Sequence, residues 1–114
     1  MITITIERDH EEKKIVRYLV DGHAEFADPG EDIVCAGVST ITVGTVNAIE
    51  SLLNIELPAT MEKGLLDVQI PIIDKKETSD QTQLLLESMV VMLNSIQESY
   101  EDYVNIINNF VKGR

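Results

Sequence analysis

The chain contains a single cysteine, Cys35, and one of its two histidines, His23, precedes it by twelve residues. A thiol becomes a strong nucleophile when a neighbouring imidazole takes its proton, and the same imidazole can later protonate a leaving amine. A connection of this length can fold back on itself, so the two side chains can meet. The pair predicts a catalytic dyad. The alternative is a structural cysteine, because a lone cysteine on an apolar helix is commonly buried in the core.

The local sequence predicts how each member of the pair is positioned. Cys35 is expected in the first turn of a helix that Asp32 caps, where the helix dipole stabilises a thiolate and lowers the pKa of the thiol. His23 is expected at the end of a strand, across a polar loop that runs to residue 31. Gly22, Gly30 and Gly37 surround the pair, where backbone or substrate needs a close approach.

Alternating and helical spacing of apolar residues predicts the order β-β-α-β-α-β. The predicted strands cover residues 2–7, 15–20, 64–70 and 103–111. The predicted helices run from Asp32 to about residue 52 and from Ser79 or Asp80 to about residue 97. Residues 54–63 are expected to form a loop that contains Pro58. The fold class is therefore α/β, a two-layer α+β sandwich with a four-stranded, largely antiparallel sheet and both helices on one face.

Composition limits the classes of function. The 114 residues allow one domain, 1–114, and 20 acidic against 9 basic residues give a net charge of −11. This charge disfavours direct nucleic-acid binding and anionic membranes, and it favours a basic partner. One cysteine excludes an internal disulfide and fits a cytoplasmic protein, and no secretion signal or membrane span is expected. No metal or cofactor is expected, since His10, His23 and Cys35 lack the spacing of zinc ligands.

Two short motifs carry a resemblance to a known family. The sequence Asp-Gly-His-Ala at 21–24 and the pattern Gly-x-Asp-Ile-Val-Cys-Ala-Gly-x-Ser at 30–39 resemble the ribosomal-processing cysteine protease family Prp. The resemblance extends over nearly the whole chain, including the N-terminal hairpin and the acidic second helix. It implies a small homodimeric endopeptidase that removes the N-terminal extension of large-subunit ribosomal protein L-twenty-seven during ribosome assembly.

The resemblance also implies roles for individual residues. Cys35 is the nucleophile and His23 the general base and acid, while Gly22, Asp32 and Ser39 match the remaining motif positions and support the site. The loop at 24–31 departs from some relatives, because Phe26 and Pro29 stand where those carry an extra histidine and tyrosine. We expect this departure to alter sequence preference around the cut. Two alternatives remain open from the residues alone: a non-catalytic ribosome-associated binding module and a thiol redox sensor.

Overall fold

A computed structural model describes residues 1–22 and 29–112, with only the backbone given for 29–31. Within this part of the chain there are five strands and two helices. Their bounds are β1 Ile2–Asp9, β2 Ile15–Asp21, α1 Pro29–Leu53, β3 Ala59–Glu62, β4 Leu65–Gln69, α2 Lys76–Ser99 and β5 Val104–Val111. The strands form one mixed sheet in the order β3-β4-β2-β1-β5. The predicted α/β fold class with two helices is confirmed, but the predicted count of four strands is wrong, and one of the strand pairs is parallel.

The missed strand is β3, which lies in the segment 54–63 that we expected to be a loop. It pairs antiparallel with β4 through a turn at Lys63 and Gly64, and Gly64 has a φ of 77°. All four β3 residues are exposed, so the strand has no alternation of buried and exposed positions to reveal it. A Lys-Gly pair just before the alternating residues of β4 was the available signal, since a glycine commonly marks a two-residue hairpin turn.

Pairing along the sheet is antiparallel except between β1 and β5, which are parallel. The Ile2 N–H donates to the Tyr103 carbonyl, and the His10 N–H donates to the Val111 carbonyl, both at 2.8 Å. The register sets Val104 and Ile106 beside Ile2 and Ile4. The even-numbered residues of β5 therefore lie on the same sheet face as the buried isoleucines of β1.

Both helices cover the same face of the sheet. Ile2, Ile4 and Ile6 of β1 are fully buried there, in one core cluster with residues of α1 and α2. The buried Tyr18 of β2 donates its hydroxyl to the Thr42 carbonyl of α1 at 2.8 Å, which ties sheet to helix. The opposite sheet face carries a cluster of charged side chains. There Arg17 makes two hydrogen bonds to Asp67 of β4 and one to Glu7 of β1.

Helix α1 forms despite a run of threonines that are poor helix formers. Thr40, Thr42 and Thr45 each donate their hydroxyl to the carbonyl four residues earlier, at 2.6–2.8 Å. These bonds satisfy the polar groups within the helix itself. The segment Asp32–Leu53 is long and apolar enough to cross a membrane by length and composition. Val34 and Val38 are nevertheless buried against the sheet, as in the core helix of a globular domain.

Helix α2 begins at Lys76, three residues before the earlier of the two predicted caps, Ser79. The prediction is wrong because the cap residue, Lys75, makes no side-chain cap hydrogen bond and so gives no sequence signal. The Asp80 carboxylate instead accepts a hydrogen bond from the Lys76 ammonium at 2.6 Å, one turn inside the helix. Leu86, Met89 and Leu93 are fully buried beneath this helix.

Candidate active site

The first positioned residue of the predicted site is Gly22, which directly follows β2. Its φ is 93°, a left-handed value that side chains rarely adopt. A Cβ atom at this position would overlap the carbonyl oxygen of Met1. Glycine is therefore required here for two independent reasons, and it sets the direction in which the chain leaves the sheet towards His23.

The start of α1 differs from the sequence prediction. The helix begins at Pro29, a favoured residue type for a first helical position. Asp32 is consequently the fourth residue of the helix and exposed, so the prediction that it is the N-cap is wrong. Cys35 is the seventh residue and lies in the second turn, where we expected the first. Since the dipole effect fades within the first turn, a base must supply more of the activation of the thiol.

Cys35 is buried, with 8% of its surface exposed, and it belongs to the hydrophobic core cluster. Ser39 follows it by four residues, hence lies on the same side of α1 one turn away, and is half-buried. Gly37 lies between them and faces α2, where an added Cβ would lie 3.3 Å from the Cδ1 atom of Ile96. The small residue thus lets α2 pack closely behind the turn that carries Cys35.

An apolar cavity of about 240 Å³ opens one turn beyond Cys35, between α1 and the β3–β4 hairpin. Ser39, Thr42 and Val43 line it from α1, and Val20 lines it from the end of β2. The turn and flanking residues of the hairpin complete the wall: Met61, Glu62, Lys63, Gly64, Leu65 and Leu66. A cleft of this kind, one turn from the predicted nucleophile, suits an apolar side chain of a bound ligand.

The bond between Tyr18 and Thr42 joins β2, the strand that ends two residues before His23, to α1, the helix that contains Cys35. From Tyr18, β2 continues for about 13 Å to Gly22, at roughly 3.3 Å per residue. From Thr42 back to Cys35, α1 spans about 10 Å at roughly 1.5 Å per residue. Ser39 lies before Thr42 and Val20 after Tyr18, and both reach the same cavity. The end of β2 and the start of α1 therefore lie at one end of the molecule.

The described residues include four of the five predicted site residues. Gly22 directly follows β2, whereas Asp32, Cys35 and Ser39 lie in the first three turns of α1. His23 and the loop residue Phe26 lie outside the described residues, so the pairing of His23 with Cys35 stays a prediction. Sequence reasoning missed the hairpin wall of the cavity, because it missed β3.

Comparisons with known proteins identify the family of this chain. The sequence model of the family described as "Cysteine protease Prp" matches residues 1–105. The chain belongs to this family of cysteine proteases. A Prp relative from Bacillus subtilis, named ribosomal processing cysteine protease Prp, is 36% identical over 113 residues, covering 97% of this chain and 100% of the relative. A relative of the same name from Staphylococcus aureus is 34% identical, covering 93% and 97%.

Solved Prp structures have the same fold. The essential ribosomal processing protease Prp from S. aureus in complex with a substrate peptide superposes with a TM-score of 0.84 at 31% identity, over 96% of this chain and 100% of that one. The same protease with a covalently linked product peptide gives 0.80 at 32% identity, with the same coverage. SMU.848 from Streptococcus mutans gives 0.86 at 26% identity, covering 97% and 96%. This chain is therefore a Prp-type cysteine protease with the Prp fold.

Proposed function

We propose that this protease removes the N-terminal extension of large-subunit ribosomal protein L-twenty-seven, with Cys35 as nucleophile and His23 as general base and acid. One observation carries the proposal: the only cysteine of the chain lies one helical turn from an apolar cavity, at the end of the molecule where β2 leads into His23. The relatives are named for ribosomal processing, and one of them was solved with a covalently linked product peptide.

The chemistry needs no cofactor. His23 takes the proton of the Cys35 thiol, and the thiolate attacks the scissile carbonyl to form a tetrahedral oxyanion. The N–H groups in the first turn of α1 have no acceptor within the helix, so they are suited to hold that oxyanion. His23 then gives the proton to the leaving amine. Water attacks the resulting thioester, releases the acid and restores the thiol.

Three residues support this pair in distinct ways. Gly22 fixes the direction of the chain immediately before His23, because no other residue fits its φ and its contact with Met1. Ser39 presents a hydroxyl at the cavity, where it can hydrogen-bond the peptide backbone. Asp32 places a carboxylate in the first turn of α1, from which it orients His23 or the loop.

The partners follow from charge and from the family. The substrate is the N-terminal peptide of a basic ribosomal protein precursor, which the acidic surface of this chain attracts. The enzyme is a cytoplasmic homodimer that binds neither nucleic acid nor membrane directly.

The test is cleavage of a peptide that spans the extension of the ribosomal precursor. Cys35→Ala and His23→Ala each abolish cleavage while the circular dichroism spectrum stays unchanged. His10→Ala is the matched control, because His10 is the other histidine of the chain and lies exposed in the β1–β2 turn; it keeps wild-type activity. Full cleavage by Cys35→Ala would refute the mechanism.

A second measurement isolates the role of His23. The rate of Cys35 alkylation by iodoacetamide reports the thiolate fraction. His23→Ala slows alkylation at pH 7 by at least about tenfold if the imidazole holds the proton of the thiol, whereas His10→Ala leaves the rate unchanged. Equal rates in both variants would leave His23 without its proposed role.

A further inference from the structure

Strand β5 lies at the edge of the sheet, and its own side chains provide none of the usual protection against pairing; the one charge described above it is the Lys13 ammonium, 5.2 Å from the Phe110 ring centre. Soluble proteins shield long edge strands with charges, prolines or bulges. The eight residues Val104–Val111 contain no charge and no proline, although 25% of the chain is charged. Ile107 and Phe110 are 38% and 50% exposed. An unshielded edge of this length is a site for pairing with another strand.

The bonds to β1 determine which backbone groups β5 has available. The Tyr103 and Val111 carbonyls, both of odd-numbered residues, accept hydrogen bonds from β1. In a parallel pair, successive residues direct their N–H and C=O groups alternately to the two sides of the strand. The odd-numbered residues of β5 therefore pair with β1. The even-numbered residues Val104, Ile106, Asn108 and Phe110 direct their backbone groups outward.

The charges at the two ends of β5 are opposite in sign. Glu101 and Asp102 precede the strand, and Lys112, one of only nine basic residues, follows it. A second copy of β5 that runs antiparallel brings its basic end to the acidic end of the first, twice by symmetry. The strand is therefore electrostatically complementary to itself.

We propose that β5 pairs antiparallel with β5 of a second copy across a two-fold axis at Ile107, forming a continuous sheet of ten strands. This register uses all four outward residues as hydrogen-bonded positions. It sets Val104 opposite Phe110, Ile106 opposite Asn108, Asn105 opposite Asn109 and Asp102 opposite Lys112. A two-fold axis at Ile106 or Asn108 would still pair even-numbered residues with even-numbered ones. It would, however, lose one pair of outward residues and the contact of Asp102 with Lys112. The inference specifies the surface of the proposed homodimer and rests on that part of the proposed function.

Charge also favours a second copy over a different partner. Two copies of net charge −11 repel each other, so they associate through a surface whose few acidic side chains are matched by basic ones, as Asp102 is by Lys112. The uncharged edge of β5 is such a surface. A basic polypeptide gains no electrostatic attraction from this strand and is drawn to the acidic surfaces elsewhere.

Cysteine cross-linking tests the register in a Cys35→Ser background, where no other thiol is present. Ile107→Cys places two thiols on the axis, with Cα atoms about 4.5 Å apart as in a non-hydrogen-bonded antiparallel pair, within disulfide range. Asn105→Cys is the matched control on the same strand face, because its own copy lies about 13 Å away. Mild oxidation cross-links most of the Ile107→Cys protein and none of the Asn105→Cys protein. No cross-link in Ile107→Cys, or equal cross-linking in both, would overturn the proposal.

Sedimentation equilibrium of the otherwise native protein gives the second readout. Asn108→Pro removes one outward N–H and leaves the β1 bonds, since Asn108 is even-numbered; Asn108→Ala keeps the N–H. The dimer dissociation constant rises at least about tenfold for the proline and stays within about twofold for the alanine. A monomeric wild type, or a dimer that Asn108→Pro does not weaken, contradicts β5 pairing. Cleavage by the Cys35→Ala variant would instead contradict the protease mechanism, so the two failures are distinguishable.

Discussion

Gly22 lies so close to the Met1 carbonyl that any Cβ atom at this position would overlap the oxygen. The contact joins the end of β2 to the start of β1, and Gly22 is the residue before His23. The N-terminus of the sheet thereby fixes the direction of the chain that carries the proposed base.

Gly22→Ala tests this relationship. The alanine must adopt a φ of 93° beside a carbonyl, so we expect it to lower the free energy of unfolding by about 1–3 kcal/mol. Peptide cleavage falls further than stability accounts for, because the chain at His23 shifts. Urea unfolding and kcat/KM measure the two effects. Wild-type values for both would show that the contact has no role.

Gly44→Ala is the matched glycine substitution that we expect to raise stability. Gly44 lies inside α1, and an added Cβ meets no atom within 4 Å. Because glycine is a poor helix former, we expect the variant to raise the free energy of unfolding by about 0.5–1 kcal/mol with unchanged cleavage. Urea unfolding measures the gain, and a loss of stability would contradict the geometry of this face.

The secondary-structure elements differ in how clearly their own sequence predicts them. The strand β1 and the helix α1 were predictable, because Ile2, Ile4 and Ile6 alternate and Val34 and Val38 recur at helical spacing. Strand β3 was not predictable from burial, because all its residues are exposed and it exists through its pairing with β4. A short and fully exposed edge strand such as β3 depends on a partner that its own sequence does not reveal.

The features of the candidate site also differ in how well the sequence predicted them. Cys35 and Gly22 were predicted from residue type and motif, and the structure adds the backbone requirement that explains the glycine at position 22. The cavity was missed because it forms between α1 and a hairpin whose lining residues follow 18 or more positions later in the chain. The helix start was misplaced because Asp32 suits an N-cap, whereas Pro29 begins the helix one turn earlier.

Filling the cavity tests its role in substrate binding. Val43→Phe occupies the space beside Ser39, so we expect kcat/KM for the precursor peptide to fall by at least about tenfold. Ser88→Leu is the matched control, since it lines a cavity of about 250 Å³ between α1 and α2. That variant keeps kcat/KM within about twofold of wild type. Equal effects of the two variants would exclude the cavity as a peptide site.

The buried Tyr18 makes the stability of the fold sensitive to alkaline pH. Burial raises the pKa of Tyr18 above its ordinary value of about 10, so ionisation is less favourable in the folded than in the unfolded state. The stability from this group is complete below about pH 10 and is lost as the pH rises further. Tyr18→Phe flattens this loss and costs about 1 kcal/mol at pH 7 through the bond to Thr42. Urea unfolding from pH 7 to 11 measures both effects, with Tyr100→Phe, at an exposed site, as control.

The ion pair of Asp67 makes stability depend on pH in the opposite sense, with a loss at low pH. The hydrogen bonds from Arg17 lower the pKa of Asp67, so its contribution is present above about pH 4 and is lost as the pH falls. Asp67→Asn lowers the free energy of unfolding at pH 7 by about 0.5–1 kcal/mol, and the difference disappears near pH 2. Asp80→Asn, at an exposed pair with Lys76, shows no measurable change. A constant difference across the pH range would refute the assignment.

Net charge predicts a salt effect on substrate capture. The chain carries −11 and the proposed substrate is basic, so added salt screens their attraction. We expect kcat/KM for the full-length precursor to fall with salt more steeply than for a short neutral peptide containing the same bond. Stopped assays at several ionic strengths measure the two slopes. Equal slopes would leave the charge without a role in capture.

The parallel pairing of β1 with β5 determines when this protein can finish folding. Ile2 lies beside Val104, so one edge of the first strand forms its hydrogen bonds only when the last strand is present. Contacts between residues so far apart in sequence slow folding. During synthesis, the edge of β1 that faces β5 stays unpaired until residues 104–111 have left the ribosome. The sheet of this protease is therefore complete only about a hundred residues of synthesis after its first strand has formed.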